Sequence, residues 1–386
     1  MKRGLIALTT LLGVFLAAFL GFMITNTAHL EPVETQGMET SAQSLPASEV
    51  SIVPSSAPQE ESESSAEEES LLQEEHSSIR LAFVGDVLLS DHVLAAYQKG
   101  GGISGVLDAG FQNHIAESDF FIANEEFPFS ERGSAAADKQ FTFRLPPKNV
   151  SILKEMQIDL VTLANNHTLD FGTDALVDTL DTLDAVGILR MGAGRTLAEA
   201  KQPVIVELSG KKVGFLAASR VIPEVSWNAS STKPGLFTTY DPTSLLEEIG
   251  KLRSQCDYLV VYVHWGIERD ERPQEYQRSL GKQYIDAGAD LVVGSHPHVL
   301  QGLEYYKGKP IVYSLGNFVF GSSIPRTALL EVDWDGTDAS LRLIPGTSGA
   351  GYTRMLSEGS WDEFAEYMTG ISYGVTVGAD GSVSLP

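Results

Sequence analysis

From Ile79 onward, short apolar runs alternate with longer stretches in which apolar residues recur every three or four positions. The short runs are rich in Val, Ile, Leu and aromatic residues, which is typical of strands. They predict strands at residues 80–84, 120–123, 160–164, 204–208, 213–217, 258–263, 291–293 and 311–314. The amphipathic stretches predict helices at residues 174–185, 244–254 and 274–287. This order indicates a layered α/β domain whose sheets are covered by helices.

The last part of the chain has a different pattern. Residues 329–334 and 340–344 predict a pair of strands, and residues 361–368 predict a helix. Residues 374–383 predict a terminal hairpin. The sequence has no internal repeat, so we interpret residues 79–386 as one domain.

An unbroken apolar run, residues 4–24, follows Lys2 and Arg3 near the start of the chain. As a helix, this run is long enough to cross a bilayer core of roughly 30 Å. The two basic residues favour a cytoplasmic start, which sends the rest of the chain outward. We therefore expect residues 1–30 to form a cytoplasmic tip and a transmembrane signal-anchor in the cell membrane, with cleavage after Ala28 as the alternative.

Residues 31–78 contain twelve Glu and no Lys or Arg. They are rich in Ser, Pro, Ala and Gln, and such a composition cannot bury enough apolar surface to offset chain entropy. We expect a disordered Ser/Glu-rich linker. The sequence therefore predicts a single-pass membrane protein whose folded domain is extracytoplasmic.

The chain of 386 residues has a formal net charge of −24, of which −14 belongs to residues 79–386. A net-negative domain repels polyphosphate backbones, so general nucleic-acid binding is excluded. The single cysteine, Cys256, excludes an intramolecular disulfide.

Six short polar segments directly follow apolar runs, at the carboxyl ends of predicted strands. In layered α/β folds, ligands gather at that edge. The segments are Gly85-Asp86, Asn124-Glu125-Glu126, Asn165-Asn166-His167, His264-Trp265-Gly266, Gly294-Ser295-His296-Pro297-His298 and Gly316-Asn317-Phe318. One such segment alone is more often a turn or a helix cap than a ligand. Six in one chain predict a shared site.

Four of the eight histidines, His167, His264, His296 and His298, lie in these segments. Imidazole and carboxylate groups are ligands that Mn, Fe and Zn accept, and an Asn oxygen can complete such a shell. The sequence therefore predicts one or two divalent metal ions, Mn, Fe or Zn.

Taken in order, these segments resemble the CapA family of poly-γ-glutamate capsule biosynthesis proteins. The resemblance extends from about residue 79 to residue 320 and also includes Asp170, Gly172, Glu268 and Gln301. That family is similar to calcineurin-like metallophosphoesterases. The resemblance implies a layered, metallophosphoesterase-like β-sandwich flanked by helices, in the order α-β-β-α.

The resemblance also implies a two-metal site. Asp86 and His298 would bind the first ion, and Glu126 would be the bridging carboxylate. The second ion would take the remaining ligands, which are Asn166, His264 and His296.

By the same resemblance, His167 is the general acid beside the leaving group. One departure concerns Leu88, which stands where metallophosphoesterases carry a histidine ligand to the first ion. His92 is either a substitute ligand or a solvated histidine at the start of a helix. Asp170 and Gly172 are interpreted as caps of the helix that follows them.

Five further residues are candidates for substrate binding. Arg144 and Arg220 either clamp an anionic substrate or form structural ion pairs. Trp265 and Glu268 are expected to shape the pocket, and Asn317 to orient a ligand.

The resemblance places the protein in capsule biosynthesis, as a metal-dependent hydrolase or transferase that acts on a phosphoester or on an anionic polymer such as poly-γ-glutamate. The alternative is a non-catalytic accessory or polymer-binding subunit that works with other capsule synthesis or export subunits. A sensor for a small anionic ligand is a third possibility.

Overall fold

The computed structural model describes residues 78–385. Its strands are, in chain order, β1 Ile79–Val87, β2 Phe120–Glu125, β3 Leu160–Thr162, β4 Leu189–Met191, β5 Ala193–Gly194, β6 Val204–Leu208, β7 Lys211–Ser219, β8 Gly235–Leu236, β9 Tyr258–His264, β10 Leu291–Ser295, β11 Leu300–Tyr306, β12 Lys309–Leu315, β13 Asn317–Val319, β14 Ser323–Trp334, β15 Ala339–Gly349, β16 Tyr352–Met355, β17 Thr376–Val377 and β18 Ser382–Ser384. Its α-helices are Asp91–Gly100, Ala109–Ala116, Val150–Glu155, Gly172–Val186, Leu197–Ala200, Thr243–Arg253, Glu275–Ala287 and Trp361–Ile371.

The first large sheet has a parallel half and an antiparallel half. Strands β1, β2, β3 and β4 are parallel neighbours, while β14 pairs antiparallel with the other side of β1 and leads on to β15, β18 and β17. Near its carboxyl end β1 also pairs with β13, which sets Asp86 opposite Asn317. The parallel half therefore ends at the edge where the predicted site residues lie.

The second large sheet has the strand order β11-β12-β10-β9-β7-β6. Its four central strands are parallel, and β6 and β11 close the two edges antiparallel. The register sets His264 beside Ser219 on one side and Ser295 on the other, so three strands end at the same level. Burial on both faces explains why residues 258–263 form a continuous apolar run.

The two sheets pack face to face, with helices on both outer faces. Alternate residues of β1 face two different cores. Leu81 and Phe83 lie in the core between the sheets, while Ala82 and Val84 face the core beneath helix Gly172–Val186. Alternate residues of β9 do the same beneath the helices Thr243–Arg253 and Glu275–Ala287. The predicted mixed α/β fold, with helices covering the sheets, is confirmed.

Each strand and helix that the sequence predicts from residue 79 onward is present, with bounds that shift by up to six residues. Several of the missed elements are short, such as β4, β13 and the helix Val150–Glu155, but the helix Ala109–Ala116 of eight residues was missed as well. Strand β11 was missed because Gln301, Gly302 and Glu304 interrupt its apolar pattern.

The predicted signal-anchor at residues 1–30 and the predicted linker at residues 31–78, apart from Ser78, lie outside the described residues. Within residues 78–385, no helix combines the length and the apolar content needed to cross a bilayer.

The carboxyl-terminal helix Trp361–Ile371 covers the β11 edge of the second sheet. Phe364, Ala365 and Met368 enter the core between the sheets, and Leu303 N–H donates to Ser372 Oγ at 2.9 Å. A Cβ atom on Gly302 would lie 2.0 Å from the carbonyl oxygen of Ile371. The close approach of helix and strand therefore requires glycine at this position.

Replacing Gly302 by alanine is expected to lower the free energy of unfolding by about 1–3 kcal/mol, because backbone must move to admit the methyl group. A matched control is Gly250→Ala in the exposed face of helix Thr243–Arg253, where an added Cβ meets no atom within 4 Å. That control is expected to raise stability by up to about 1 kcal/mol. Denaturant unfolding measures both, and equal midpoints for the two variants would contradict the packing argument.

Candidate metal centre

The ends of β1 and β2 place two carboxylates side by side. Asp86 lies near the end of β1, where Asn124 Nδ2 donates to its Oδ1 at 2.8 Å. Glu126 follows β2 directly, and its backbone N–H donates to Val87 O at 3.0 Å. Both side chains are fully buried. Pairing between the two strands therefore fixes the distance between the two acids.

One group of potential metal ligands consists of Asp86, Glu126 and His298, whose ligand atoms all lie within 4.8 Å of one another. His298 Nδ1 lies 3.2 Å from Asp86 Oδ2 and 3.9 Å from Glu126 Oε2. The same nitrogen lies 2.8 Å from Asn317 Oδ1. Asn317 thus contacts the His298 ring, as expected for a residue that orients a ligand.

A second group consists of Glu126, His264 and His296, and it shares Glu126 with the first. His264 Nε2 lies 3.6 Å from Glu126 Oε1 and 2.8 Å from Asn166 Oδ1. His264 Nδ1 lies 3.0 Å from Ser295 Oγ, and the rings of His264 and His296 are 4.7 Å apart. The structure therefore brings the six predicted metal ligands together around one carboxylate. Their binding of metal stays a prediction.

The turn that carries His296 and His298 adopts a strained backbone. Both residues have positive φ, at 101° and 59° respectively, with Pro297 between them. Such conformations cost about 1–3 kcal/mol each in non-glycine residues and concentrate at functional sites. The strain turns both imidazoles toward the acids at the end of β1 and β2.

Several buried ligand atoms lack a hydrogen-bond partner among the described residues. They are both carboxylate oxygens of Glu126 and Nδ1 of His296. Burial and the neighbouring Asp86 raise the pKa of Glu126 well above its usual range. A divalent cation would satisfy these atoms and reverse the penalty on the carboxylate. The donor set therefore fits such an ion, held by Asp86, Glu126 and His298 or by Glu126, Asn166, His264 and His296.

The histidines divide into two electrostatic classes. Burial lowers the pKa of His264 well below its usual value and that of His296 to about 3, so both rings are neutral, the form that binds metals. Burial also acts against charge on His298, but the carboxylates of Glu126 and Asp86 outweigh it and raise its pKa to about 10. A metal ion and a proton therefore compete for the His298 position.

His167 lies beside this centre and is held by a buried acid. Its Nδ1 lies 2.7 Å from Asp170 Oδ2, and its ring packs 4.6 Å from that of Phe143. The Lys139 ammonium also bonds to Asp170 and to Asn166 O. Burial lowers the pKa of His167, and Asp170 opposes that shift. The prediction that Asp170 caps a helix is wrong, because the helix begins at Gly172 without a side-chain cap and Asp170 binds His167 instead.

The two arginines among the predicted substrate-binding residues lie against carbonyl oxygens and aromatic rings. Arg144 donates to Arg132 O at 2.8 Å and covers the Phe171 ring, and Arg220 donates to Tyr240 O at 2.9 Å between the rings of Tyr240 and Tyr276. Neither forms, with any residue in 78–385, the ion pair that was the alternative to substrate contact. Both guanidinium groups are instead held by carbonyl oxygens and aromatic rings.

Trp265 and Glu268 lie in opposite environments. Trp265 is fully buried in the core beneath the outer helices, and its indole donates to Tyr313 O at 2.8 Å. Strand alternation points the Trp265 side chain opposite to that of His264, and its part in shaping a pocket stays a prediction. Glu268 is exposed, yet its charge acts on Glu126 and Lys139, which places it near the centre.

Leu88, which replaces the histidine ligand of metallophosphoesterases, lies in the core. Leu88 is 3% exposed and belongs to the core between the first sheet and its helices. His92 is exposed at the start of helix Asp91–Gly100 and lies outside both ligand groups, as the second interpretation of His92 expected. The first group therefore has three protein ligands, with His298 as its imidazole.

Sequence reasoning missed the roles of Asn124, Lys139 and Asp170. The spacing His167-x-x-Asp170 carried a signal, since a turn can return the acid to the ring three residues earlier. Lys139 carried none, because nothing in its neighbourhood distinguishes it from a solvated lysine.

Known proteins are similar to this chain in sequence. Residues 80–322 match the family described as bacterial capsule synthesis protein PGA_cap. The chain belongs to this family. The resemblance to CapA proteins is thereby confirmed.

Two CapA proteins are among the relatives. The chain is 34% identical to the PGA biosynthesis protein CapA of Bacillus subtilis over 254 residues, which is 64% of each protein. It is 32% identical to the capsule biosynthesis protein CapA of Bacillus anthracis over 263 residues, 66% of this chain and 62% of that protein. The chain therefore spans less than two thirds of the length of these relatives.

Among solved structures, a phosphatase from Mycoplasma pneumoniae superposes with a TM-score of 0.43 and 14% identity over 70% of this chain and 95% of that one. A putative 5′-nucleotidase from Staphylococcus aureus gives a TM-score of 0.44 and 15% identity over 71% of this chain and 54% of that one. Values this low leave the activity of this chain open.

Glu126→Gln is expected to separate two effects of the shared carboxylate. In chelator the variant should be at least as stable as the wild type, because a buried acid without a partner has been removed. With Mn²⁺ its gain in melting temperature should largely disappear, since both ligand groups lose their common member. Thermal unfolding with and without Mn²⁺ measures both effects, and exposed Glu131→Gln is the control. A full Mn²⁺ shift in Glu126→Gln would contradict the assignment.

Proposed function

We propose that this PGA_cap family protein is a metal-dependent hydrolase or transferase that acts on a phosphoester or an anionic polymer during synthesis of a capsule such as poly-γ-glutamate. The observation that carries the proposal is the shared carboxylate of Glu126, buried without a hydrogen-bond partner between two groups of ligand atoms. The names of the two CapA relatives support the biological process.

The residues around Glu126 suggest how the site would work. Divalent ions bound there would supply Lewis acidity to a phosphoryl oxygen. His167 would donate the proton to the leaving oxygen through Nε2, because Nδ1 is occupied by Asp170. Asp170 supports the cationic ring that carries this proton. No side-chain nucleophile is required, because water can attack.

The proposed location follows from the start of the sequence. Lys2 and Arg3 ahead of the apolar residues 4–24 favour a single-pass anchor in the cell membrane with the folded domain outside the cytoplasm. Protease accessibility of the domain in intact cells, set against that in lysed cells, tests this orientation. Protection in intact cells would contradict it.

An accessory role without catalysis is the second candidate. It is favoured by Leu88, which leaves the Asp86 group with three protein ligands. A probable polyglutamine synthesis accessory protein of Mycobacterium tuberculosis, 32% identical over 212 residues that cover 52% of this chain and 56% of that protein, has a name of this kind. Such a subunit would bind the polymer or other synthesis subunits without turnover.

His167→Ala is the variant that separates these functions. For an enzyme, we expect near-stoichiometric Mn, Fe or Zn in the purified protein and hydrolysis of bis(p-nitrophenyl) phosphate that falls by about 100-fold or more in the variant, the usual contribution of a general acid. The variant should retain its metal, because His167 belongs to neither ligand group. Metal-free wild-type protein that stays inactive with added Mn²⁺, Fe²⁺ or Zn²⁺ would favour the accessory role instead.

A further inference from the structure

Lys139 is an unusual lysine because it is nearly buried. Its side chain is 12% exposed and lies in the long connection between β2 and the helix Val150–Glu155. Lysine heads rarely leave water unless they are paired. Here the ammonium donates to Asn166 O and to Asp170 Oδ1, and it lies 3.0 Å from His167 Nδ1.

The Asp170 carboxylate bonds both to residues of this connection and to His167. It is fully buried and accepts from Lys139 on Oδ1 and from Phe143 N–H on Oδ2 at 2.7 Å. The same Oδ2 lies 2.7 Å from His167 Nδ1. Residues 139–143, which we call the strap, therefore hold the acid from both oxygens.

The strap also fixes the orientation of the imidazole. The Asp170 carboxylate only accepts hydrogen bonds, so His167 Nδ1 donates to its Oδ2 at 2.7 Å, which leaves Nε2 without a hydrogen bond among the described residues. The Phe143 ring lies 4.6 Å from the His167 ring and limits its rotation. Asp170, held by the strap, thus sets the tautomer of this histidine, and Phe143 sets its tilt.

A direct substrate contact is a poorer role for Lys139. At least two of its three N–H groups are taken by Asn166 O and Asp170, and its charge is matched by a buried carboxylate. Its other face lies over the Trp227 ring, 5.3 Å from the centroid. An ammonium enclosed in this way supports its neighbours and has little capacity to bind an incoming anion.

We propose that Lys139 is a positioning residue, which fixes His167 in the orientation that presents Nε2 to the metal centre by anchoring the strap to Asp170. The role of His167 in turnover rests on the proposed function. The anchoring of the strap rests on the hydrogen bonds alone.

The test compares Lys139→Met, Lys139→Arg and the control Lys148→Met in the full-length chain. Lys148 is exposed in the same connection and has no hydrogen bond or ion pair among the described residues. Hydrolysis of bis(p-nitrophenyl) phosphate with Mn²⁺ gives kcat and KM, and a Mn²⁺ titration gives Kd. Amide hydrogen exchange of peptides covering 139–144 reports the Phe143 N–H bond to Asp170.

We expect Lys139→Met to lower kcat by about 100-fold, comparable to the loss of a general acid, with KM and the Mn²⁺ Kd each within about threefold of wild type. Lys139→Arg keeps the charge and should retain more turnover than the methionine variant. Exchange in 139–144 should accelerate by about tenfold in Lys139→Met and stay unchanged in Lys148→Met. Wild-type kcat in Lys139→Met would overturn the proposal, as would equal loss of kcat, Mn²⁺ binding and melting temperature in both Lys139 variants.

If the proposed function is wrong, these measurements give a different set of results. If the wild type does not hydrolyse the probe, the exchange measurement still decides whether Lys139 anchors the strap. Faster exchange in Lys139→Met alone supports the anchor, and unchanged exchange overturns it.

Discussion

A hydrogen bond from a tyrosine joins the two sheets directly beneath the candidate metal centre. The Tyr262 hydroxyl of β9 donates to Val84 O of β1 at 2.8 Å, two residues before His264 on one strand and two before Asp86 on the other. Tyr262 is buried in the core between the sheets, where an unpaired hydroxyl would be costly. The bond therefore fixes the level at which the strands of both sheets end. Ligand atoms from sequence positions as distant as 86 and 298 meet because this level is shared.

The convergence creates an electrostatic conflict inside the protein. Two carboxylates and three imidazoles lie close together with little exposure to solvent, and burial of Glu126 without a hydrogen-bond partner is unfavourable. The strained backbone at His296 and His298 adds to the cost. The packed sheets on either side contribute the stability that offsets both. A rigid frame of this kind holds the ligand atoms in place before any ion arrives, so little reorganisation accompanies binding.

The layered fold and the location of the site could be predicted from the sequence because both depend on local pattern. Parallel strands read as apolar runs, and the polar residues that follow them mark one edge. The support around the site could not be predicted in this way. Lys139 and Asp170 are brought together by a long irregular connection whose course no periodicity encodes. Trp265 follows His264 directly in the sequence, which suggested that both side chains line one pocket. The strand pleat instead points the two side chains to opposite faces of the sheet.

The direction of β1 determines how the domain is presented to its surroundings. Ile79 begins the strand opposite Trp334, whose ring packs 5.1 Å from that of Tyr258 at the start of β9. The amino ends of the strands β1 and β9 thus meet at one edge of the two sheets. Asp86 lies at the opposite edge, roughly 23 Å away along β1. The chain that precedes Ile79 is therefore joined to the domain at the edge formed by the amino ends of these strands. The edge that carries Glu126 and the other candidate ligands is therefore free of this attachment.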